Sequence, residues 1–369
     1  MSDTTTKPWI HSPTVDGFFI LGPAMLATGL GALGHRYLPQ TQDIPVWAWV
    51  LLVMSIDVGH VYSTLYRTYF DKEELKRNRD LYILTPLLCW LGGVVLYSFG
   101  WMYFWRSLAY LAVFHFIRQQ YGFMRLYSRK EKDASSAAKW ADRAVIYMAT
   151  IYPLIYWHTH IPRNFHWFIE GDFVAISWPA LDQIGFGLYI AAIAGYLAKE
   201  IYSYRMTSQF NLPRNLLVLG TLVSWYVGIV VFNGDLAFTA TNVVAHGIPY
   251  MALIWIYSRK KSEQDIKAGT GTLLAGIRYV SMRFIPLFVA VLVFFGFVEE
   301  GLWDALVWRE HASVFKVFWS LPQLADPSVL AWVVPFLALP QSTHYVLDGF
   351  IWRLKSPKIE WKKFVFKES

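Results

Sequence analysis

Residues 45–66 read PVWAWVLLVMSIDVGHVYSTLY, a run long and apolar enough to cross a bilayer as a helix at about 1.5 Å per residue. Near one end an aspartate and a histidine interrupt it. Residues three apart share a helix face, so Asp57 and His60 form a polar pair where lipid or another helix should lie. Ionisable groups inside a membrane are costly and mark sites or pathways.

Nine more runs meet the same length criterion: 15–35, 81–99, 101–122, 144–157, 184–203, 215–232, 236–257, 281–298 and 328–350. The predicted fold is therefore an all-α integral membrane protein, a polytopic bundle of about ten transmembrane helices forming one domain over 1–369. The fifth run is short, and the third and fourth are nearly continuous. Composition agrees, because 55% hydrophobic residues, 16% charged residues and a mean hydropathy of +0.33 are too apolar for a soluble domain. Aromatics at 18% suit rings anchoring helix ends at the interfaces. The lone Cys89 excludes an intrachain disulfide and a thiolate cluster, so a metal would need His, Asp or Glu.

Lys and Arg in short loops collect on the cytoplasmic side. Arg67–Asp80, Arg125–Arg143, Lys199–Arg214, Arg259–Arg283 and the tail from Arg353 are basic, whereas 158–172, 233–235 and 299–311 are acidic or nearly neutral. Alternation at every loop predicts both termini in the cytoplasm, with 1–14 as a short N-terminal segment and 353–369 as the tail. The net charge of +7 then belongs to loops and does not imply nucleic acid. The N-terminus lacks a basic lead and cleavage pattern, so it is expected to stay attached, in the inner membrane of a bacterium. Arg67, Arg125, Arg259 and Arg353 read as interfacial anchors, and Glu299 and Glu300 as solvated residues closing a span. GTGTLLAG at 269–276 follows no strand and carries no GKS or GKT, so it reads as a loop.

Under this topology His60, His115, His246 and His344 fall on the second, fourth, eighth and tenth spans, all of one polarity, at depths agreeing within about 10 Å. Each has a polar neighbour at helical spacing: Asp57 before His60, Arg118 and Gln119 after His115, Asn242 before His246, and Asp348 after His344. Four helices of one bundle can bring such residues to a common metal, with Asp57 and Asp348 either ligating it or holding the second imidazole nitrogen. The candidate ligands are thus Asp57, His60, His115, His246, His344 and Asp348. Tyr62, Gln119 and Tyr250 are candidate donors of a proton or hydrogen bond. His158, His160 and His166 form a second, interfacial possibility, while His11, His35 and His311 lack partners at ligand spacing.

Nitrogen and oxygen donors without thiolate suit iron, zinc, copper or manganese. A lipid, acyl or isoprenoid chain arriving sideways from the membrane calls for dioxygen and a redox metal, which favours iron, as one centre or as two irons. An electron donor would then be a further partner. Three other classes fit some of the same residues: a proton-coupled transporter with an Asp/His relay, a b-type haem electron carrier and an intramembrane zinc hydrolase.

DVGH at 57–60, FHFIRQQYG at 114–122, AHGIPY at 245–250 and THYVLD at 343–348 resemble segments of integral-membrane, histidine-rich non-haem iron enzymes, a class that includes lipid desaturases, hydroxylases and membrane carotenoid dioxygenases. The resemblance implies iron and dioxygen. It covers these four segments; the chain has no HxxHH box, and His246-Gly247 is a dipeptide echo of the carotenoid group's motif.

Overall fold

The computed structural model describes residues 8–37, 44–131, 135–267, 273–352 and 361–366. The N-terminal segment before Pro8, residues 269–272 of the glycine-rich stretch, and the tail residues 353–360 with Arg353 lie outside them. All regular structure among the described residues is helical.

Seven helices are long and apolar enough to cross a membrane, which makes this a multi-pass membrane protein: Pro13–Arg36 (α1), Val46–Tyr66 (α2), Arg79–Phe99 (α3), Pro179–Thr207 (α6), Leu212–Val231 (α7), Asp235–Lys267 (α8) and Ile285–Trp308 (α10). Between them lie Trp101–Tyr127 (α4), Ser136–Thr159 (α5) and Leu273–Arg283 (α9), and Pro327–Leu337 (α11) and Leu339–Ile351 (α12) complete the bundle. Helix α4 falls outside the apolar set because Arg106, Arg118 and Arg125 interrupt it. One residue, Gly100, separates α3 from α4 at φ 153°, a conformation that side-chain-bearing residues rarely adopt.

The predicted span 328–350 is two helices, broken at Ala338. Pro340 supplies no N–H and its ring crowds the carbonyl four residues back, which disfavours a continuous helix here and suits the first turn of the new one, where Pro340 stands. His344 consequently sits near the start of the short α12.

Helix α8 is the axis of the bundle. Its most apolar stretch is 83% covered by the rest of the protein, against 22% for α3 and α6, which form the rim. Segments 158–172, 233–235 and 299–311 gather at one end, around a cavity. At the other end, buried Arg278 pairs with Asp265 and lies 3.4 Å from Asp71, which accepts a 2.7 Å hydrogen bond from Tyr257.

Two sequence expectations need correction. Arg67 is buried, not an interfacial anchor: it pairs with Glu74 at 3.0 Å and lies over the Tyr257 ring. Glu299 is buried as well, because α10 continues to Trp308 in a wider π-helical turn and keeps Glu299 inside the bundle.

Candidate metal centre

The four histidines come from α2, α4, α8 and α12. In α2 the stretch Trp49–Val58 is wound as a π-helix, a form that recurs at functional sites. The widened turns bring the Met54 carbonyl against α10 at Gly296, where a Cβ would lie 2.7 Å from that oxygen. On the other flank, Gly247 lets α8 approach α2 beside His60.

His60, His115, His246 and His344 are all buried, and their ligand atoms lie within 4.8 Å of one another. Successive Nε2 atoms are 3.1 Å apart from His60 to His246, 3.1 Å from His246 to His115 and 3.0 Å from His115 to His344. Neighbouring rings stand nearly perpendicular, at 88° for His60 and His246 and 82° for His246 and His115. Hydrogen bonding cannot explain this, since one ring nitrogen offers either one N–H or one lone pair, yet those of His246 and His115 each face two neighbours. Four imidazole nitrogens converging in a dry pocket could hold a shared cation. Two imidazole nitrogens bound at right angles to one ion, each about 2.1 Å from it, stand roughly 3 Å apart, which these steps match.

The outer nitrogens are graded. His344 Nδ1 lies 2.7 Å from Thr64 Oγ1, which in turn is 3.0 Å from the Tyr250 hydroxyl. His115 Nδ1 faces Asp348 at 3.3 Å, and His60 Nδ1 faces Asp57 at 3.5 Å, long for a hydrogen bond. His246 Nδ1 has no hydrogen-bond partner, and its ring instead stacks on Phe116 with centroids 3.5 Å apart. Oxygens on outer nitrogens fix ring direction and tautomer, leaving Nε2 for the metal. No family model, curated protein or solved structure matches the chain.

Asp57 and Asp348 thus lie behind the imidazoles, outside the convergent group. Gln119 donates from Nε2 to the His246 carbonyl at 2.9 Å and so holds the backbone of α8. Tyr62 stacks on Phe295 of α10, because residues two apart project from nearly opposite sides of a helix. The alternative trio is engaged elsewhere: His158 Nδ1 is 2.6 Å from the Leu154 carbonyl and His160 Nδ1 is 2.9 Å from the Tyr156 carbonyl, both at the end of α5, and His166 lines the cavity. Thr64 and Phe116 escaped the sequence reading. Thr64 lies four residues after His60, a visible signal, whereas Phe116 serves a histidine on another helix and leaves no local trace.

A methyl group on Gly247 would sit 2.9 Å from Ile56 Cγ2, 3.2 Å from the Ile56 carbonyl and 3.5 Å from His60 Cβ. Backbone cannot yield as a side-chain tip does, so α2 must shift and carry His60 away from His246. Gly247→Ala is expected to weaken metal binding at least about tenfold while costing about 1–3 kcal/mol in stability, measured by metal titration beside thermal unfolding in detergent. Wild-type affinity in the variant would show that the close approach does not set the ligand geometry.

Proposed function

We propose that the protein is a ten-span membrane oxidoreductase with both termini in the cytoplasm. It holds iron at His60, His115, His246 and His344 and acts with dioxygen on a lipid, acyl or isoprenoid substrate. The observation that carries the metal is the meeting of four buried Nε2 atoms at 3.0–3.1 Å steps. Iron is favoured because an unactivated hydrocarbon calls for a redox metal and dioxygen, which together supply the oxidising power. A lipophilic substrate suits a centre enclosed by helices whose outer faces expose Leu88, Phe99, Leu188 and Phe294.

The chain's own groups orient and hold. Asp57, Asp348 and Thr64 direct three imidazoles, and Gln119 fixes the backbone of the fourth. Tyr250 and Thr64 form a hydroxyl pair that can pass a proton from the outer nitrogen of His344. A b-type haem fits poorly, since imidazole nitrogens 3.0–3.1 Å apart leave no slot for a porphyrin plane.

Metal analysis of the detergent-purified chain is expected to return iron at about one atom per chain, and the ferrous protein to consume dioxygen when membrane lipid is supplied. Zinc in its place would turn the reading to hydrolysis. A protein without metal would turn it to a proton relay, read as vesicle uptake lost in Asp57→Asn.

A further inference from the structure

The four histidines are sealed, with exposures of 0–2%, so an ion needs a route to them. A cavity of about 710 Å³ opens among the loops opposite the basic end and stops one side-chain layer short of the rings. Its inner wall includes Asp57, which faces His60, and Phe116, which stacks on His246. Asp57 keeps 30% of its side chain accessible although His60 beside it has none.

The lining is acidic. Asp57, Glu170, Asp235, Glu300, Asp304 and Glu310 contribute carboxylates, and among the described residues no lysine or arginine lines the cavity, in a chain whose net charge is +7. Asp304 is committed to the fold, accepting from the Glu310 and His311 backbone and from Trp319 Nε1. A separate feature points to a bound ligand. Asn242, one turn before His246, is 3% exposed and lines the cavity. Its Nδ2 donates to the Phe238 carbonyl at 3.0 Å and to Thr241 Oγ1 at 3.3 Å, while its Oδ1 has no partner. A buried amide oxygen left so is costly unless a donor or cation meets it.

We propose that this vestibule loads the four-histidine centre with a divalent cation, with Asp57, Glu300 and the Asn242 oxygen as the last oxygen station before the imidazoles. The inference rests on the metal-centre reading. Carboxylates in a low-dielectric cleft concentrate cations and raise their arrival rate. Oxygen donors hold a first-row divalent ion loosely and four imidazoles hold it tightly, so transfer inward is downhill.

The test is the rate at which metal-free, full-length protein takes up cobalt(II) chloride, followed by cobalt absorbance. Wild type is expected to load more slowly as sodium chloride is added. The triple variant Glu170→Gln, Glu300→Gln, Glu310→Gln is expected to load at least about tenfold more slowly and reach the same final cobalt content. Glu263→Gln, 53% exposed at the basic end, is expected to load at the wild-type rate. If the triple variant does not fold, the exposed pair Glu170→Gln, Glu310→Gln is expected to slow loading about threefold. Wild-type rates in the triple variant, or in the pair if the triple is lost, would overturn the vestibule as the route while leaving the centre intact. Failure of wild type to take cobalt, or cobalt retained in His246→Ala, would remove the centre itself and the loading route with it.

Discussion

His246→Ala is expected to leave the purified protein with less than about a tenth of the wild-type metal. His246, like His115, is an inner member of the group, with its Nε2 3.1 Å from those of both His60 and His115. Removing it takes away one donor of four and leaves a void against Phe116 that no neighbouring ligand fills. His60→Ala, His115→Ala and His344→Ala are expected to give the same loss, since a shared centre fails at any corner. Asp57→Asn and Asp348→Asn provide the graded comparison. They keep all four nitrogens and disturb only ring direction, so affinity is expected to fall about 10- to 100-fold with occupancy restored at high metal. Full occupancy in any two of the alanine variants would take those histidines out of the centre.

Arg278→Met is expected to cost about 3–5 kcal/mol, because it strands the buried Asp71 carboxylate and leaves Asp265 with Lys261 as its cation. The Arg278 side chain is 1% exposed, as is that of Asp71, and Asp265 is 12% exposed. Lys261 also reaches Asp265 at 2.7 Å and Glu73 at 2.5 Å, so the network ties α8, α9 and the short helix Lys72–Arg77 together. Unfolding in detergent should show the loss, and Arg259→Met gives the control. Arg259 is 51% exposed and paired with an exposed Glu263, so its removal is expected to change stability by under about 0.5 kcal/mol. Equal effects from the two substitutions would mean that burial does not set the cost.

Much of this was legible in the chain. Apolar run length located helices at the ten predicted spans, seven of which are long and apolar enough to cross a membrane, and the pattern of polar neighbours singled out the four histidines that meet. Three things were hidden. The division of 328–350 depends on Pro340, whose effect a hydropathy window averages away. The burial of Arg67 and Glu299 depends on partners far along the chain, such as Tyr257 for Arg67, and charge alone reads as exposure. The acidic vestibule is assembled from six separate segments, each ordinary where it stands in the sequence.

The uneven support of the imidazoles carries a mechanical consequence. The outer nitrogens of His344 and His115 face an oxygen at 2.7 and 3.3 Å, which resists rotation of those rings, and that of His60 faces Asp57 more loosely at 3.5 Å. His246 rests flat on Phe116, with 7° between the planes. Stacking resists tilt but opposes sliding only weakly. The group therefore has three arms backed by oxygen and one compliant arm, and an ion held there would be accommodated first by His246 sliding along an aromatic surface.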